Sequence, residues 1–239
     1  MNNYKHERLV YNGKPFSDFG VWISGAGTFA SPERDVEFYK IPGRNGALTY
    51  DAGTFGNITI AYDAYIKKAF PFRFDALREY ILSLSGYQKL EDSYHPEEYR
   101  MAIYKGPLEP DVKFLNKSGE FTLSFECKPQ RFLKSGDYWQ TFTANGSIYN
   151  PTLFSALPII RVYGIGTVGI GTSFVKLTAN TNYTDIDCEM QDAYCGSVNC
   201  NGNLQLQAGI FPSLHPGENG ITLGTGITKV EILPRWWKI

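Results

Sequence analysis

Short segments in which apolar and polar side chains alternate recur along the chain, and they predict strands at residues 36–41, 57–66, 121–125, 159–163, 174–178, 204–208 and 228–233. A period of two sends successive side chains to opposite faces, and the same runs are rich in β-branched and aromatic residues. Tyr11-Asn12-Gly13-Lys14 reads as a hairpin turn, because asparagine and glycine accept the positive φ of a primed turn. One stretch has a different period. Between residues 71 and 85, Phe74, Leu77, Ile81 and Leu84 recur every three or four positions, Pro71 stands where a missing N–H costs little, and Gly86 offers a C-terminal cap. This predicts one helix at about 72–85, its apolar stripe packed on a sheet. Residues 90–100, "LEDSYHPEEYR", are polar and interrupted by Pro96, which reads as a loop or arm.

The fold class implied by this patterning is mainly β. Strand patterning at residues 121–128 stops at Pro129 and resumes only at Leu157; between them lies a mixture of charge, Gly, Asn and Pro up to Pro151. Beyond it charge thins and Gly and Asn rise, the composition of a turn-rich all-β unit. Two compact domains are therefore expected, over residues 1–130 and 131–239, and 239 residues with 43% hydrophobic content suffice for sizeable cores.

Charge removes several function classes. Lys plus Arg number 23 against 24 Asp plus Glu, for a net charge of −1, so no overall field draws the chain to nucleic acid or anionic lipid. The first ten residues carry Lys5, Glu7 and Arg8 where a signal peptide would be apolar, and no later run of about 18 uncharged apolar residues occurs. A soluble chain without its own secretion signal, and no membrane partner, are the expectations. Of the cysteines, Cys195 and Cys200 could form a disulfide, but the spacing from Cys188 fits no zinc pattern and His215 stands alone, so free thiols in a reducing compartment are the simpler reading.

Several stretches imitate chemistry. Gly164-Ile165-Gly166-Thr167-Val168-Gly169 matches a dinucleotide fingerprint, yet the next residues are "IGTSFVKLT", with no helix to hold a phosphate, so a tight turn between strands is expected. Asp185, Asp187 and Glu189 alternate with Ile186, Cys188 and Met190 and read as a solvated outer strand face; the spacing of a calcium loop is missing. His95 lies among Glu91, Asp92, Glu97 and Glu98 in what reads as a surface loop. No serine sits in a nucleophile elbow, and His6, His95 and His215 have no partner that spacing suggests. No catalytic residue, metal site or cofactor is assigned.

Two features point to contacts. Pro42, Gly43, Arg44, Asn45 and Gly46 lie between strand-like runs, and the loop fails the phosphate-loop pattern because Gly46 leads into "ALTYDAGTFGN". It is either a plain turn or a contact loop of an assembly, at the tip of a hairpin arm at about 36–50. Trp236 and Trp237 are adjacent, so on an extended chain one faces the core and the other is a candidate exposed aromatic.

Four stretches, taken in order, resemble the distal tail protein (Dit) family of siphophages and of prophages in Gram-positive bacteria: "LVYNGKPFSDFGVWISG", "IPGRNG" with "YDAGTFGNITIAYDAYI", "FDALREYILSLSG", and "GIFPSLHPGENGITL" with "ITKVEILPRWW". Residues 128–154 carry none of it. The resemblance implies an N-terminal β-sandwich with a helix and a hairpin arm embracing the next subunit, and a galectin-like C-terminal β-sandwich. It implies a non-enzymatic virion protein of the tail tip, made in the host cytoplasm: a baseplate hub whose homohexameric rings, single or stacked, link the tail tube to the host-adsorption apparatus. Implied partners are the major tail tube protein, a tail-associated lysin or tail fibre hub, and receptor-binding proteins, with DNA passing the lumen without specific binding. The alternative is a carbohydrate-binding module in which the C-terminal sandwich recognises cell-wall saccharide.

Overall fold

A computed structural model of the protein describes residues 8–25, 30–113 and 115–239. His6, Lys5 and Glu7 lie outside the described residues. The chain divides into two compact units, residues 1–131 with Ile239, and residues 132–238. It is mainly β, as the patterning predicts, with one α-helix among the described residues. No described helix is long and apolar enough to cross a membrane.

The first unit contains β1 (Leu9–Tyr11), β2 (Lys14–Pro15), β3 (Val21–Ser24), β4 (Arg34–Lys40), β5 (Ala47–Phe55), β6 (Ile58–Ile66), α1 (Phe70–Ser83), β7 (Gln88–Asp92), β8 (Glu98–Tyr104), β9 (Asp111–Lys113) and β10 (Ser118–Leu133). One sheet runs β2-β1-β7-β8-β10-β6-β3, with β9 also on β10. The predicted Asn-Gly turn joins β1 to β2, with Tyr11 opposite Lys14 and positive φ at Asn12 and Gly13. Alternation along β6 and β10 sends Ile58, Ile60, Tyr62, Phe121, Leu123 and Phe125 to one buried face. Phe70, Phe74, Leu77 and Ile81 of α1 join that core at helical spacing, and rings cluster within it: Phe125 lies 5.0 Å from Tyr11 and 5.5 Å from Tyr104.

Three expectations change here. The helix begins at Phe70, and Leu84 is already extended, so Gly86 stands beyond the cap instead of forming it. Residues 90–100 are not a loop: β7 and β8 pair antiparallel, Leu90 opposite Arg100, and the polar residues simply alternate on a half-covered sheet. Pro129 does not end its strand. The β6 ladder already stops at Cys127 opposite Ile58, so no hydrogen bond to β6 is lost at the proline and β10 continues to Leu133.

The second unit is a sandwich of two sheets. One, in the order β11-β21-β13-β16-β17-β18, contains β11 (Gln140–Phe142), β13 (Ile159–Gly164), β16 (Thr184–Asp187), β17 (Asp192–Cys195), β18 (Val198–Asn199) and β21 (Ile227–Leu233). The other, in the order β12-β20-β14-β15-β19, contains β12 (Gly146–Asn150), β14 (Gly166–Ile170), β15 (Ser173–Leu177), β19 (Leu204–Leu206) and β20 (Gly217–Leu223). Ile160, Val162, Ile186, Val230 and Ile232 of the first sheet and Ile148, Val168, Ile170, Val175 and Ile221 of the second belong to one buried core. β19 is shorter than the predicted 204–208, because Ala208 takes a left-handed φ of 51° in a 3-10 turn.

The glycine fingerprint is a turn, as expected. Gly164 has a φ of +101°, a Cβ there would lie 2.2 Å from the Gly226 carbonyl oxygen, and β14 begins two residues later. Close backbone approach is what these glycines serve.

Candidate functional site

The loop at 42–46 tips a hairpin that pairs with no other described strand of its unit. β4 and β5 form a two-stranded sheet of their own, and neither contributes a residue to the buried core. At the tip, the Arg44 amide donates to the Ile41 carbonyl at 3.2 Å, Pro42 takes the second position and Gly43 has a φ of +79°. That is a type II turn, and Gly43 supplies the positive φ it requires.

Register decides what each side of the arm presents. Tyr39 opposes Leu48 and Glu37 opposes Tyr50, so these four share one face; Phe38 opposes Thr49 and Lys40 opposes Ala47 on the other. Phe38 is 69% exposed and Tyr50 61%, and Tyr39, Ile41 and Leu48 are exposed as well. Large apolar side chains bare on both faces of an isolated hairpin are unusual, because two strands alone are marginally stable in water. The base is pinned by polar contacts: Arg34 pairs with Asp51 at 2.7 Å and stacks on the Phe55 ring, and Thr54 donates to Asp35. The hydrogen bond from Arg34 holds the Asp51 carboxyl below its ordinary range. The charges at the tip are not so engaged: neither the Lys40 nor the Arg44 side chain has an ion pair or hydrogen bond among the described residues.

The acidic strand of the second unit departs from expectation. Asp185 and Asp187 do share the outer face of β16 while Ile186 faces the core, but they are only 5% and 2% exposed. Each is covered by an arginine in two-pronged contact. Arg161 donates to Asp185 at 2.7 and 2.8 Å, and Arg235 to Asp187 at 2.9 and 2.8 Å; Glu189 stays exposed. Burial would raise the Asp187 carboxyl, but the Arg235 bonds and the amides of Met190 and Glu189 outweigh it and hold it below the usual range. Arg161 also lies between two rings, 4.9 Å from Trp139 and 4.5 Å from Tyr183. In the same row Glu231 and Thr141 face outward on β21 and β11, and Tyr194 on β17. No spacing rule signals this platform; only strand register assembles it.

The remaining candidates resolve into structural roles. Trp236 is buried in the core of the second unit, and Trp237 is half-buried, stacked 4.4 Å from Phe154 and donating to the Ser155 carbonyl. Trp236 is thus the core member of the pair, and Trp237 keeps part of its ring exposed. Arg235 before them takes a left-handed φ of 57°, which turns the chain just ahead of the pair. All four cysteines are free; burial pushes the Cys127 and Cys188 thiols up to about 12, leaving them without nucleophilic thiolate at neutral pH. Cys195 opposes Val198, not Cys200. His95 sits in the turn between β7 and β8, its ring 3.3 Å from Asp92, which also accepts from the Tyr62 hydroxyl. No group of three potential metal ligands occurs among the described residues.

No protein-family model matches the chain, and no curated protein matches it. Solved structures do. The structure of SPP1 Dit, described as a paradigm of the hub adsorption apparatus in phages infecting Gram-positive bacteria, superposes with a TM-score of 0.74 at 15% identity, covering 98% of this chain and 100% of that one. A chain of the phage p2 baseplate in its activated conformation superposes with a TM-score of 0.55 at 8% identity, covering 95% and 97%. At such identities the shared property is the fold, and it extends over both units.

Proposed function

We propose that this chain is the ring-forming hub of a phage tail tip, a non-enzymatic virion protein whose copies associate through the β4–β5 arm. Six subunits close the ring, which joins the tail tube on one side to the adsorption apparatus on the other and lets DNA through its lumen without binding it. Its partners are then itself, the tube protein, a tail-associated lysin or fibre hub, and receptor-binding components. The observation that carries this reading is the arm, bare and apolar on both faces. A cyclic ring joins one patch of each subunit to a different patch of the next, and a projecting hairpin suits such a contact. The fold shared with SPP1 Dit over the whole chain supports it. Native mass spectrometry of the full chain tests it: a hexamer is expected, and a monomer at every concentration would refute it.

A second reading concerns the C-terminal sandwich, read as galectin-like. The Arg161 platform, with Trp139, Tyr183 and Tyr194 around ordered Asp185 and Glu231, combines ring faces and oriented polar groups as saccharide recognition requires. Calorimetry with cell-wall polysaccharide is expected to give binding that Trp139→Ala weakens about tenfold or more, the loss of roughly one stacking contact. No heat with the native chain would leave the platform a structural ion-pair cluster.

A further inference from the structure

The first unit carries an open groove of about 730 Å³ on the outer face of its sheet. Its floor is built by register. Ser24, Asp63 and Thr122 form one row across β3, β6 and β10, and Tyr65, Glu120 and Asp111 a second across β6, β10 and β9. Pro107 and Glu109, from the segment between β8 and β9, line its side. All four carboxylates, on Asp63, Glu109, Asp111 and Glu120, are exposed. Against them stands Lys113, 2.5 Å from Glu120 and 3.6 Å from Asp111, with Lys67 lying over the Tyr65 ring at one end. Four carboxylates against the Lys113 and Lys67 ammoniums leave the groove with an excess of negative charge, and Asp63 and Glu109 have no ammonium of their own among the described residues.

The same chain carries the complementary shape and charge. The arm's tip is a narrow turn with Lys40 and Arg44 unengaged, whereas its acids lie further down and are occupied: Asp51 by Arg34, Asp35 by Thr54, Glu37 by Tyr39. Seven residues of β4 extend about 23 Å at the rise of a strand, enough to reach across to a neighbour. We propose that this groove receives the Lys40–Arg44 tip of a second copy of the chain, so that it is the acceptor half of the head-to-tail contact. The inference rests on the ring reading and names its receiving surface. Apolar contacts of Phe38, Tyr39 and Leu48 hold the arm to its neighbour, and the charged tip in the acidic groove selects the register, since like charges brought together there repel.

Charge reversal tests it on the full chain. Sedimentation and native mass spectrometry compare the native protein with an arm variant (Lys40→Glu with Arg44→Glu), a groove variant (Asp63→Lys with Glu109→Lys) and the combination of all four, at about 0.15 M and about 1 M salt. Both double variants are expected to self-associate at least about a hundredfold more weakly, and the combination to recover most of that loss. High salt weakens the native contact. Every changed side chain is exposed, and recovery in the combination excludes misfolding as the cause. If both double variants assemble like the native chain, or the combination assembles no better than either, the groove is not the acceptor, yet the ring reading stands. If only the arm variant is impaired, another surface receives the tip. A native chain that never associates overturns both readings.

Discussion

Arg235→Met is expected to lower the stability of the second unit by about 3–5 kcal/mol, the cost of stranding a buried carboxylate once its partner is removed. Asp187 is nearly inaccessible and takes two bonds from the guanidinium; the amides of Glu189 and Met190 remain but do not neutralise its charge. For a unit of this size the loss corresponds to roughly 15–25 °C in Tm. Fluorescence reports it, because Trp139, Trp236 and Trp237 lie in this unit and only Trp22 in the other. Acid titration supplies a sign. A carboxyl held below its unfolded value contributes stability above about pH 4 and loses it as pH falls through the depressed folded value. The gap between native and variant should therefore be widest near neutrality and close in acid. Adding Asp187→Leu should recover much of the loss, since an apolar pair of similar volume often matches a buried ion pair. A single variant within about 1 kcal/mol of native would show that the pair does not stabilise the second unit.

Shortening the arm, by replacing residues 37–50 with a two-residue Asn-Gly turn, is expected to abolish self-association while leaving the first unit folded. The second half of this expectation comes from packing. No residue of β4 or β5 belongs to the core, and the chain enters and leaves the hairpin through the Gly56 amide bonded to the Glu33 carbonyl at 2.9 Å, a closure the deletion keeps. Its unfolding free energy should stay within the small range of surface changes, about 0.5 kcal/mol. The first half comes from exposure: the arm's large apolar side chains are uncovered within the chain, so under the ring proposal their removal costs only an intermolecular contact. Ultracentrifugation and thermal unfolding on the same sample separate the two effects. Retained assembly would move the contact elsewhere; a lost fold would make the arm part of the unit's own structure.

How far the sequence discloses this molecule depends on the range of the forces involved. Local rules do well: Asn12-Gly13, the helix with its stripe at Phe74, Leu77 and Ile81, and the strand-turn-strand use of Gly164 and Gly166 come from φ preference and period. Long-range pairing is less visible. Asp185 and Asp187 look solvated in a period-two pattern, because Arg161, 24 residues before Asp185, and Arg235, 48 residues after Asp187, cover them only once strands align. Pro129 punctuates the sequence but not the strand, since what matters is whether a neighbour needed its N–H. Residues 90–100 hide a hairpin because their polar face is half-covered. The arm is legible in part. Adjacent Phe38 and Tyr39 are apolar in consecutive positions, a sign that both faces of a strand want cover, while the absence of any intramolecular cover emerges only in the structure. The acidic groove is illegible in the chain, its carboxylates being drawn from positions 63, 109, 111 and 120.

The most direct measurement is the mass of the purified chain combined with electron-microscope images along the symmetry axis. A closed hexameric ring, with density bridging each subunit to the next at the position of the arm, is the expected result. Single chains at all concentrations, or an assembly in which the arms point away from every neighbour, would contradict the assignment of this hairpin as the means of assembly.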